Sequence, residues 1–145
     1  MKILMAVTGL LLIAASAHAL ADGTTLKLVE HASTDTITDL GAKGDSAGDL
    51  LTFANPIYDE ANAKQVGDDS GWCIRTAPGK AWECFWTLAL ADGQITVEGP
   101  FLDAGDSVLA ITGGTGKFAG ARGEMKLHAR DAKGSEYDFV YSLMP

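Results

Sequence analysis

Apolar and polar side chains alternate along most of this chain. Over residues 94–101, Ile95, Val97, Gly99 and Phe101 share one face, and residues 107–112 repeat the rhythm. A period of two marks a half-buried β-strand. In residues 81–90, Trp82, Cys84, Trp86, Leu88 and Leu90 face one way, and Glu83, Phe85, Thr87 and Ala89 the other. Residues 24–33 set Leu26, Leu28 and Glu30 against Lys27, Val29 and His31, and residues 49–58 put Leu51, Phe53 and Asn55 on one face. Residues 71–76, 122–131 and 135–143 complete a set of eight predicted strands. His128 falls on the charged face of its strand, beside Lys126 and Arg130, where it is solvated.

Turn signals separate these strands: Pro78-Gly79, Asp92-Gly93, Asp103 to Asp106 and Lys133-Gly134. Residues 34–48 are rich in Gly, Asp and Ser and predict a long loop, while residues 59–70 are charged and turn-like. Gly113, Gly114, Gly116 and Gly120 form a glycine-rich corner. A phosphate loop or dinucleotide fingerprint there would need different residues at Ile111, Phe118 and Ala119. The corner is therefore read as structural. Short, evenly spaced strands without a mature helix predict an all-β fold, an eight-stranded antiparallel closed barrel. The alternative is a two-sheet sandwich. Closure removes exposed edges, and eight strands leave room for side chains or one small ligand.

The first 19 residues break the pattern. Lys2, the apolar run over residues 3–15 and Ala17-His18-Ala19 form a secretory signal with cleavage expected after Ala19. The run is too short for a spanning helix and no second one follows, so no membrane role is expected. The mature domain is residues 20–145, and its expected location is secreted or periplasmic. Cleavage removes one base, Lys2, and no acid, changing the net charge from −8 to −9. A chain this acidic, with no Lys/Arg cluster, is not expected to bind nucleic acid.

Cys73 and Cys84 are the only cysteines. Pro78-Gly79 lies midway between them, so a hairpin turning there sets them opposite one another. In an oxidising compartment this predicts a disulfide, with two reduced, buried thiols as the alternative. Two thiols and no nearby histidine make no zinc site, and no metal is expected.

Glu30 and Asn55 each end an apolar row. Either Glu30 is buried, which is costly unless it is hydrogen-bonded or neutral, or the strand ends before it and the side chain reaches water. Two strands each placing one polar group at the end of a greasy face suggest a cavity for a small molecule.

Gly48-Asp49-Leu50, Phe53-Ala54-Asn55, Tyr58, Val66-Gly67, Gly71-x-Cys73, Val97-x-Gly99-Pro100, Ala110-Ile111-Thr112-Gly113-Gly114 and Phe118-x-Gly120-Ala121 together resemble plant allene oxide cyclase. Bacterial barrels of that type and the more distant dirigent proteins share the architecture. The resemblance implies a calycin-like barrel, commonly a homotrimer, with an apolar lumen and no cofactor. It implies that Glu30 is the family's buried glutamate, which promotes epoxide opening, and that Asn55 holds the reacting oxygen. Cys73 matches a cavity cysteine, Trp82 a cavity phenylalanine and Phe101 a tyrosine. Ala32 stands where the family has a second asparagine, and residues 34–40 lack its Ser-Pro pair. Alternation and resemblance together place Glu30 in the lumen as a buried carboxyl with a raised pKa.

Two functional classes follow. In the first, the chain is an isomerase: Glu30 and Asn55 are catalytic, and Phe53, Cys73, Trp82, Trp86 and Phe101 hold a hydrophobic or aromatic substrate during a cofactor-free cyclisation or isomerisation. Dealkylation of a phenazine is another reaction for such a barrel. In the second, the chain is a non-catalytic carrier or dirigent-like template for a lipophilic small molecule.

Overall fold

Residues 23–145 are described by a computed structural model, and the leader expected over residues 1–19 lies outside them. Nine strands follow in chain order: β1 (Thr24–His31), β2 (Thr36–Thr38), β3 (Leu50–Asp59), β4 (Gln65–Ala77), β5 (Ala81–Leu90), β6 (Gly93–Leu102), β7 (Ser107–Gly114), β8 (Gly123–Ala129) and β9 (Glu136–Leu143). Consecutive strands from β3 to β9 are neighbours, β9 pairs with β1, and β1 returns to β3. Every pairing is antiparallel. This is the expected eight-stranded closed barrel with one additional short strand.

That strand, β2, lies in the stretch expected to be loop. It covers an edge. β1 pairs with the C-terminal end of β3 through Leu28–Glu30 against Ile57–Asp59, and β2 pairs with the N-terminal end at Leu50–Thr52. Together they occupy an edge that would otherwise present unpaired N–H and C=O groups. The chain crosses between them at residues 32–35, which places that short crossing at one end of the lumen.

β4 begins at Gln65, six residues before the predicted start at residue 71. Its inward face therefore runs through Asp69, Gly71, Cys73 and Arg75. Gly71 lies opposite Trp86 on β5, and a side chain on it would collide with the Trp86 Cβ and the Phe85 carbonyl. The absent Cβ lets the indole lie against the wall. Cys73 and Cys84 are paired in register and form the predicted disulfide, with Cα atoms 4.0 Å apart.

The glycine corner is structural, as read. A 3-10 turn at Gly116–Phe118 follows β7 and carries Phe118 into the core. Gly116 has φ of +59°, and its missing side chain lets the turn press on the Asp92 carbonyl. Leu88, Ile95, Val97, Met125, Phe139 and Tyr141 are buried in the barrel core. His128 lies outside, bonded to Asp106.

Candidate functional site

Register brings the polar residues together before any side chain is considered. Glu30 on β1 lies opposite Ile57 on β3 and Tyr137 on β9. Asn55, two residues before Ile57 and on the same face, lies opposite Asp69 on β4. Four strands thus deliver Glu30, Asn55, Asp69 and Tyr137 to one level of the barrel. Glu30, Asn55 and Asp69 are all buried, with exposures of 5%, 1% and 1%. The strand does not release Glu30 to water: it is one of the buried residues of β1.

Asn55 is saturated by the protein. Its Nδ2 donates to Glu30 Oε1 and to Asp35 Oδ1, each at 2.8 Å. Its Oδ1 accepts from Ser33 N at 3.0 Å, Thr34 N at 2.9 Å and Thr34 Oγ1 at 3.0 Å. Three donors on one oxygen fix the orientation of the amide, and both of its N–H groups are occupied. The side chain clamps the 32–35 crossing onto the barrel and aims Glu30, so neither N–H remains for the substrate oxygen expected at Asn55.

Behind Glu30 stands Asp69. Apart from the neighbouring Glu30 carboxyl, neither of its oxygens has a side-chain partner among the described residues, and the buried Trp86 Nε1 and Tyr141 hydroxyl also lack partners there. Two carboxylates cannot bond to each other; a carboxyl and a carboxylate can. Burial, the charge of Glu30 and a hydrogen bond with Glu30 push Asp69 up to about 9. Burial raises Glu30 to about 7, against the opposing donor of Asn55 and with added repulsion from Asp35. At neutral pH the two acids retain a proton between them. Burial likewise raises Tyr137 to about 12 and pushes the Tyr141 hydroxyl up.

Above these acids lies a lumen cavity of about 60 Å³, small beside the ~300–1,000 Å³ of sites that engulf drug-sized ligands. Glu30, Phe53, Cys73, Trp86 and Phe101 line it, joined by Cys84, Asp35, Leu51, Leu127, Tyr137 and Phe139. Trp86 lies near-parallel to Phe139 at 5.8 Å and edge-on to Phe53 at 6.0 Å. Phe101 and Tyr137 meet edge-on at 6.0 Å. The disulfide forms part of the wall and narrows the bore.

Trp82 does not line this cavity. It sits beyond Cys84 at the rim, opposite Arg75, whose guanidinium lies 4.0 Å over the indole. Arg75 binds Asp45 at 2.6 Å and Asp103 at 2.7 Å. Of the residues expected to hold substrate, Trp82 alone stands outside the cavity lining. Asp69, Asp35, Tyr137 and Phe139 were not anticipated. Asp69 was legible only by counting back in twos from Cys73 through Gly71. Tyr137 and Phe139 alternate onto one face of residues 135–143 in the sequence.

No group of three His, Cys, Asp or Glu side chains is arranged to hold a metal ion among the described residues. The arrangement suits proton transfer and the confinement of a flat, largely apolar group.

The fold and site define a small closed β-barrel with an aromatic lumen and a buried acid in its wall. Residues 27–142 match the allene oxide cyclase family, and the chain belongs to that family. Among solved structures, it is similar to pyocyanin demethylase, with 28% identity and a TM-score of 0.72 over 82% of this chain and 99% of the other. It shares its fold with the pterocarpan synthase dirigent protein PsPTS1, at 18% identity and a TM-score of 0.67 over 88% and 99% of the two chains. The fold recurs in AbnU, an exo-specific intermolecular Diels-Alderase, at 13% identity and a TM-score of 0.66 over 86% and 100%.

Proposed function

We propose that this is an exported barrel that binds a hydrophobic or aromatic small molecule in its lumen and promotes its cofactor-free cyclisation or isomerisation. The observation that carries this reading is Glu30: a buried carboxyl in the cavity wall, aimed by Asn55 and titrating near 7. An acid poised near working pH both gives and takes a proton. Confinement between Trp86, Phe139 and Phe101 would hold the substrate in one reactive shape. Asn55 is a positioning residue in this scheme, because its own bonds are all made within the protein. The Cys73–Cys84 bridge supports an oxidising compartment, secreted or periplasmic. The homotrimer that the family resemblance implies belongs to the same reading, and native mass spectrometry tests it by subunit count.

A second reading, dealkylation of an aromatic compound such as a phenazine, is favoured by the 28% identity with pyocyanin demethylase. Incubation with a panel of lipophilic and aromatic compounds, followed by chromatography and mass spectrometry of the recovered ligand, separates the possibilities. An isomer of unchanged mass supports cyclisation, and loss of an alkyl group supports the second reading. Ligand recovered unchanged from a binding protein makes it a carrier and ends both. Turnover should vanish in Glu30→Gln with the barrel intact by circular dichroism. Equal rates in that variant would remove Glu30 from the chemistry.

A further inference from the structure

The charged side chains that line the lumen cavity are all of one sign. Of the residues lining the cavity, Glu30 and Asp35 are acids and none is Lys, Arg or His. Asp69 adds a third acid behind them, 1% exposed and pointing into the barrel, with the Glu30 carboxyl as its one side-chain partner among the described residues. Arg75, on the rim, is held by Asp45 and Asp103. Buried carboxylates are normally matched by a cation or by several donors. Here Asn55 supplies one N–H to Glu30 and one to Asp35, and among the described residues no basic side chain lines the cavity.

The remaining wall is aromatic. Trp86 and Phe139 pack near-parallel, and Phe101 and Tyr137 meet edge-on beside them on the same lining. Aromatic faces carry negative quadrupole density and attract cations, most strongly where water is excluded. Carboxylates with aromatic walls and no base form a receptor for positive charge.

From this we infer that the lumen selects a cationic aromatic ligand, a flat ring bearing a delocalised positive nitrogen, over neutral or anionic molecules of the same shape. The inference rests on the reading of the lumen as the ligand site. The ring lies along Trp86 and Phe139 with its charge toward Glu30 and Asp35. In the small cavity, one edge of the ring enters first while the rest remains near the mouth. The positive charge favours the ionised form of Glu30, so binding releases a proton from the Glu30–Asp69 pair, with the Tyr137 and Tyr141 hydroxyls remaining protonated. With Glu30 titrating near 7, affinity for the cation rises about tenfold between pH 6 and pH 8, following the ionised fraction.

Three probes of similar size and different charge test this: N-methylpyridinium, toluene and benzoate. Binding is followed by the Trp86 indole N–H resonance, and proton release by calorimetry in buffers of different ionisation enthalpy. The expected result at pH 8 is saturable binding of N-methylpyridinium at least tenfold tighter than toluene, with no response to benzoate. Proton release should accompany the cation alone. Glu30→Gln and Asp35→Asn should each lower the cation-to-toluene affinity ratio several-fold. Asp35 lies at the exposed mouth, so its variant keeps the test open if Glu30→Gln fails to fold. Toluene or benzoate binding as tightly as the cation would overturn the charge preference and leave lumen binding standing. No response of Trp86 to any probe would overturn both.

Discussion

At the scale of single residues, Asn55 is the hinge of the site. Its amide joins the acid on β1, the acid of the crossing and three donors of residues 33 and 34. Asn55→Ala removes the donor to Glu30 and orphans a buried carboxyl, an effect of roughly 1–3 kcal/mol per group left unsatisfied. Urea unfolding should show a loss of about 3 kcal/mol, and a carboxyl NMR titration should show Glu30 moving further upward. A stable variant with unchanged Glu30 titration would contradict the clamp. Asp69 leads to a pH prediction. Both Glu30 and Asp69 have folded pKa values above their ordinary values of 4.5 and 3.8. The folded state therefore binds more protons than the unfolded chain, and stability falls as pH rises through the window from about 4 to about 9. Asp49, Asp106 and Asp131, held low chiefly by hydrogen bonds, act in the opposite direction and weaken the fold only in acid. The urea midpoint should be highest near pH 5 and decline toward pH 9. Asp69→Asn, neutral at every pH, should flatten most of that decline and match the wild type near pH 4. A wild-type midpoint constant from pH 5 to pH 9 would refute this.

At the scale of elements, the alternation of β5, β6, β8 and β9 was readable because each buries one face and wets the other. The Cys73–Cys84 register followed from a turn midway between the cysteines. β2 was not readable: its three residues are all exposed, so no burial imprints a period on them. The start of β4 was obscured for the opposite reason. Asp68-Asp69-Ser70 reads as a solvated turn, yet Asp69 points inward, and a carboxylate inside a barrel violates the pattern from which strands are recognised. One surprise, β2, belongs to the scaffold, and the other, Asp69 on β4, falls at the site. β4 also depends on Gly71. Gly71→Ala should cost about 2 kcal/mol, because the new methyl meets the Phe85 carbonyl and the Trp86 Cβ, which cannot both withdraw. Thermal unfolding that matches the wild type would mean that the wall yields more readily than its packing implies.

At the scale of the whole molecule, the barrel is closed by unequal seams. β1 meets β9 through eight residue pairs but β3 through three, Leu28–Glu30 against Ile57–Asp59. The short seam includes Glu30, so the acid sits where the barrel opens most readily. Opening free energies vary across a fold and are lowest where few contacts cross. Amide exchange at the β1–β3 seam should be the fastest of the barrel pairings, and any lumen ligand should slow it more than it slows β5 or β6. Uniform protection around the barrel would refute the weak seam.

The disulfide forms part of the lumen wall, and its two half-cystines are almost wholly shielded from bulk solvent. Reductant and guest must therefore arrive by the same doorway. An occupied barrel should keep its sulfur–sulfur bond longer in dithiothreitol than an empty one, turning the lifetime of that bond into a clock for occupancy.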